Sequence, residues 1–158
     1  MQMTLVALGK TQSKWIAEGI AVYEKRLRHY GKFRFVETPD VKLKQSKADP
    51  LQVMKAEALL LEKLLSGVDH LILLDERGKS RSSLQCAEQL RKLQNRGLKH
   101  AMWVIGGPYG FDESIRAKAH EFWSLSPMTF SHQMIRPFAI EQIYRAHTIL
   151  KGEPYHHE

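Results

Sequence analysis

Apolar and polar positions alternate over 3–8, which predicts a strand that Gly9 and Lys10 break. Trp15, Ile16, Gly19, Ile20, Tyr23 and Leu27 then recur at helical spacing, predicting an amphipathic helix over about 14–29. A second strand is predicted over 33–37, followed by a polar, lysine-rich loop over 38–49. Asp49 and Pro50 supply a cap and a first-position proline for a helix to about 65, which Gly67 closes. The apolar run at 70–74 reads as a strand ending in the charged turn DERGKS, and Ser82 or Ser83 caps a helix ending near Gly97. A strand over 101–105, a short helix from Asp112 to about 119, a strand over 122–125 and a closing helix over 137–151 complete the pattern. This alternation predicts an α/β fold with a mostly parallel sheet and helices on both faces.

In such sheets ligands bind beyond the carboxyl ends of the strands. Three loops qualify: DERGK after Leu74, GGPYG after Ile105 and SPMTF after Leu125. Periodicity says nothing of the strand order that would bring them to one crevice. The GGPYG loop is neither a dinucleotide fingerprint nor a P-loop, and its spacing suits a tight structural turn as well as a cofactor cradle.

The chain has 158 residues, a length that suits one domain able to bury a core without disulfides or metal. Its single cysteine, Cys86, excludes an intramolecular disulfide and reads as a structural thiol in a reducing compartment. The eight histidines lack metal-ligand spacing, so no metal is expected. MQMTLVALGK has too short an apolar run for a signal peptide, and no stretch is long enough to span a bilayer, so a cytoplasmic location is expected. A net charge of +7 favours a polyanionic partner, nucleic acid first. The excess gathers at Lys25, Arg26 and Arg28, at Lys42, Lys44 and Lys47, and between Arg77 and Arg81, although each cluster also suits a solvated face.

Polar residues converge in LSPMTFSHQMIR. His132 reads either as a hydrogen bonder at the helix entry or as an oriented base. Arg136 and Arg145 suit phosphate binding or, for an exposed arginine, pairing with Glu141 on the helix. Tyr144 falls at core spacing. The terminal GEPYHHE groups Tyr155, His156 and His157 after the helix, as an ordered tail or a frayed end dispensable for folding.

These motifs, together with LVALGK, YEKRL, LLDERGK, VIGGPYG, EQIYRA and GEPYH in fixed order, resemble the RlmH family of SPOUT-class methyltransferases across essentially the whole chain. The resemblance implies methylation of N3 of a pseudouridine in large-subunit ribosomal RNA on assembled ribosomes, with S-adenosylmethionine as cofactor and a homodimer as the working unit. It further implies one SPOUT domain over 1–158 with a C-terminal trefoil knot in the cofactor-binding region, about 70–158. By motif, Leu74, Gly107, Leu125, Ser126, Pro127, Met128, Thr129 and Phe130 would form the cofactor pocket. His132, Arg136, Tyr155 and His156 are the candidates for the chemistry.

Overall fold

The computed structural model describes residues 1–42 and 49–157. Half of the lysine-rich loop, with Lys44 and Lys47, lies outside the described residues. Five strands, β1 (Gln2–Ala7), β2 (Phe33–Glu37), β3 (His70–Ser80), β4 (His100–Ile105) and β5 (Glu121–Ser124), form one sheet in the order β2-β1-β4-β3-β5. Every pairing is parallel. The helices are α1 (Lys14–Leu27), α2 (Pro50–Glu62), α3 (Ser83–Asn95), α4 (Glu113–Arg116) and α5 (Ile135–Lys151).

The near-continuous apolar runs of β1 and β4 are buried on both faces, as a doubly covered parallel sheet requires. One face holds Leu5, Ile72, Trp103 and Ile105 against Ile20 of α1, Leu90 of α3 and Ile140 of α5. The other holds Val6, Leu73 and Val104 against Leu61 of α2 and Ile115 of α4. Local signals for the helix starts are realised: Asp49 Oδ1 accepts from Leu51 N beside Pro50, and Ser82 forms a reciprocal capping box with Gln85. Cys86 is buried, and burial pushes its thiol up. No helix among the described residues is long and apolar enough to cross a membrane.

Two elements depart from the sequence pattern. The closing helix starts at Ile135, two residues before the predicted Pro137. The proline falls in the first turn, where backbone N–H groups have no intrahelical acceptor, so its missing N–H breaks no bond. The charged DERGKS segment, predicted as a turn, extends β3 to Ser80. Leu74 pairs with Trp123, the register then shifts, and Lys79 pairs with Trp123 again, so the intervening residues bulge out of the ladder. Charge marks the segment as a turn, whereas the pairing of Lys79 with Trp123 and Ser80 with Ser124 carries β3 past the bulge.

His147 is buried in α5, its Nε2 lying 3.3 Å from Met3 Sδ and its ring 5.2 Å from that of Tyr30. Burial, with Lys151 adding to it, lowers its pKa from 6.5 to about 4. The unfolded chain therefore binds the proton more readily, and the stability that neutral His147 carries above pH 6.5 is lost as pH falls towards 4. In urea titrations across that window the wild type is expected to lose on the order of 3 kcal/mol more than His147→Gln. Parallel losses would show that the imidazole is not the group protonated.

Candidate functional site

The strand order sets β4, β3 and β5 side by side, so the loops leaving their carboxyl ends open into one cleft of about 700 Å³. Leu74, Gly107 and Leu125 line it, one from each of the three loops predicted from the sequence. Ser126, Met128, Thr129 and Phe130 continue the wall, and His132 closes it at the entry to α5. Pro127 lies within the same loop but is not part of the lining.

The β5–α5 loop braces itself: Ser124 Oγ donates to the Ser126 carbonyl at 2.9 Å, and Met128 N donates to Ser126 Oγ at 2.9 Å. Its two hydroxyls thus shape backbone and leave apolar surface from Leu125 and Phe130 towards the cleft. Gly110, at φ 84°, donates its N–H to the Gly107 carbonyl and closes GGPYG as a tight turn that also lines the cleft. The tight-turn reading of that loop therefore holds, and the turn stands on the cleft wall. Charge enters from the opposite wall, where Arg116 pairs with Asp75. Burial pushes the Asp75 carboxyl up, but the Arg77 N–H and Arg116 outweigh it and hold the group below its ordinary range.

His132 is half-buried, and burial followed by the nearby Arg136 charge holds its imidazole below its ordinary pKa. It is therefore neutral at neutral pH and able to accept a proton. Arg136 itself has no exposed surface. Its Nε donates to the His132 carbonyl at 3.0 Å, Nη1 to Thr11 Oγ1 at 2.9 Å and Nη2 to the Leu8 carbonyl at 2.9 Å, with Glu37 Oε1 at 3.5 Å from Nη1. This guanidinium faces inward rather than into the cleft. It ties the end of β1 to the start of α5 and fixes the backbone that carries His132.

Tyr155 and His156 are not brought to this cleft within one chain. They follow the opposite end of α5, about 24 Å along its axis from Ile135. The tail is ordered there: Tyr155 Oη lies 3.2 Å from Tyr23 Oη and donates to Glu141 Oε1 at 3.0 Å, with its ring edge-on to Tyr144 at 4.8 Å. Arg145 pairs with Glu141 as the helix spacing allowed, stacks over Tyr155, and has His156 Nδ1 3.4 Å from its Nη1. Of the two readings of the tail, the ordered one holds for the described residues. Truncation after Gly152 removes the Tyr155 packing and is expected to cost about 1–2 kcal/mol in thermal unfolding.

Of the basic clusters, Lys25 and Arg26 are exposed on α1 and Arg77 stands at the cleft. Arg81 is internal, paired with Glu121 at 2.8 Å and stacked over Trp123 at 4.7 Å, so it does not add to a nucleic-acid surface. Among the described residues no group of three or more His, Cys, Asp or Glu side chains is placed to hold a metal ion.

Fold and cleft together define an α/β protein with a nucleotide-sized site where the loops of three adjacent parallel strands meet. A family model described as a predicted SPOUT methyltransferase matches residues 1–156. The chain is 50% identical over 158 residues to a protein of Flavobacterium johnsoniae and 49% identical over 160 to one of Christiangramia forsetii, both described as ribosomal RNA large subunit methyltransferase H. The first match covers 100% of both chains and the second 99% of both. Among solved structures, a probable methyltransferase from Bordetella pertussis Tohama I superposes with a TM-score of 0.56 at 11% identity, covering 92% of this chain and 95% of its own. A probable methylase family protein from Haemophilus influenzae gives 0.55 at 12% identity, covering 95% of this chain and 66% of its own, so both speak to the fold alone. This chain belongs to the RlmH family of SPOUT methyltransferases.

Proposed function

We propose that this chain methylates N3 of a pseudouridine in large-subunit ribosomal RNA, using S-adenosylmethionine and acting on assembled ribosomes. The observation that carries the reading is the end-to-end identity of 50% to a ribosomal RNA large subunit methyltransferase H. The cleft suits the cofactor: Leu74, Leu125 and Phe130 offer apolar surface for an adenine, and the Gly106–Gly107 loop lines the same cleft. Its sulfonium supplies the methyl group as an electrophile.

The imide N3 of pseudouridine carries a proton that must leave. His132 is the group placed to take it, since it is neutral and stands at the cleft wall. Arg136 is the residue that positions it, through the His132 carbonyl. Thr129 and Met128, both exposed at the mouth, are where an RNA base would first meet the protein. The test is mass mapping of large-subunit RNA from cells lacking the protein, before and after incubation of their ribosomes with protein and cofactor. Methyl incorporation at N3 of a single pseudouridine is expected, and incorporation elsewhere or none would overturn the reading.

The same reading makes 1–158 one SPOUT domain in a homodimer, with a trefoil knot over about 70–158, at work in the cytoplasm. Apolar surface on adjacent helices supports the dimer: Trp15 of α1 and Phe138 of α5 are 58% and 44% exposed. Because cleft and tail occupy opposite ends of α5, a partner packed antiparallel on this face would bring its Tyr155 and His156 towards the cleft. Tyr155→Ala and His156→Ala are then expected to lower methylation by roughly tenfold with cofactor affinity kept. Normal turnover in both would leave the tail a packing element only. Sedimentation should give twice the chain mass, and a fully active monomer would exclude the arrangement.

A further inference from the structure

Glu57 stands in α2 four residues from Val53 and four from Leu61, on the stripe that faces the sheet. It is only 5% exposed, and its Oε2 is buried with no hydrogen-bond partner. No ion pair reaches it among the described residues. The charged groups on the elements around it are otherwise engaged or distant: Lys118 pairs with Glu62, Arg116 with Asp75, Asp112 caps α4, and neither Lys55 nor Glu113 pairs with it. A carboxyl in this position either holds a proton or waits for a cation.

Its location bears on the cleft. The carboxyl lies against Gly107, where an added Cβ would stand 2.7 Å from Glu57 Cδ. Gly107 lines the cleft and Glu57 does not, so the carboxyl stands behind the loop that forms this part of the cleft wall. The glycine is required by this contact, since a side chain here would run into the Glu57 carboxyl. We propose that Glu57 is a specificity-determining residue whose buried charge makes the cleft favour a cationic sulfonium cofactor over the neutral thioether left after methyl transfer. This rests on the cleft being the S-adenosylmethionine site.

The energetics follow from the surroundings. Burial alone pushes the carboxyl up to about 7, so near neutrality the empty protein holds both forms. A sulfonium nearby favours the ionised form, lowers the pKa and expels a proton, whereas the thioether lacks that charge. Cofactor is thereby drawn in and spent product is released more readily.

Calorimetry with S-adenosylmethionine and S-adenosylhomocysteine, in buffers of different ionisation enthalpy at pH 7, tests this on the full chain. Wild type is expected to release protons with the first ligand more than with the second. Glu57→Gln keeps the shape, removes that difference and lowers the affinity ratio of the two ligands by about tenfold. An unchanged ratio and unchanged proton release in a folded Glu57→Gln protein would overturn the proposal. Should the variant fail to fold, the wild-type ratio decides: it must rise as pH passes upward through 7, and a flat ratio overturns the proposal equally. If wild type binds neither ligand, it is the reading of the cleft that fails instead.

Discussion

Gly78→Ala should cost about 3 kcal/mol of stability and disorder the wall of the cleft, a large effect for a single methyl group. The reason is contact with backbone. A Cβ at Gly78 would lie 2.6 Å from the Trp123 carbonyl carbon and 2.7 Å from the Phe122 carbonyl carbon and the Trp123 nitrogen. None of these atoms can rotate away as a side chain would, so β3 and β5 must separate. They separate at the bulge where the ladder changes register, and Trp123 sits in the core against Trp103 at 6.2 Å. Leu125 and the self-braced loop follow directly. Urea denaturation reads the loss in stability, and the cofactor affinity of whatever remains folded should fall with it. A variant within about 0.5 kcal/mol of wild type would show that the strands can part without cost.

Gly78 also marks where sequence reading stopped. Strand and helix alternation, the parallel sheet with both faces covered, the caps at Asp49 and Ser82 and the three loops that meet in the cleft were all legible, because each is a local pattern or follows from a general rule. The order β2-β1-β4-β3-β5 was not, since it depends on pairings between residues far apart in sequence. Nor was the β3 extension, whose charged residues look like a turn until β5 is beside them. Two further signals were present and unread. Glu57 shares a helical face with Val53, Ala58 and Leu61, and Arg136 shares one with Ala139, Ile140 and Ile143. A charge on an apolar stripe announces burial, and a buried charge has a specific task. Arg136 read as a phosphate or transition-state partner because its chemistry permits it, while the positions around it indicated the interior. Tyr155 and His156 pose the reverse case: the cluster was evident, but its distance from the cleft follows from the length of α5.

Arg136→Met is therefore expected to lower stability by about 3–5 kcal/mol, more than loss of a charge at a solvent-facing site would. The substitution leaves the Leu8 and His132 carbonyls and Thr11 Oγ1 without the donor they share, and Glu37 without its buried partner. Arg136→Lys keeps the charge but not the planar fork, and one ammonium cannot reach donors' places on β1, the following loop and α5 together. It should cost about 2–3 kcal/mol, since part of the network stays unpaired. The pair separates holding from chemistry. If Arg136 acts through position, folded Arg136→Lys binds cofactor at low temperature yet methylates slowly, because His132 is no longer fixed. Its pH profile should also shift, since His132 is held below its ordinary pKa by burial first and the Arg136 charge second, and an ammonium displaced from the guanidinium's place changes that second contribution. If instead the positive charge itself stabilised the reacting base, the lysine would retain most of the rate, and full turnover with an unchanged pH profile would return Arg136 to that role.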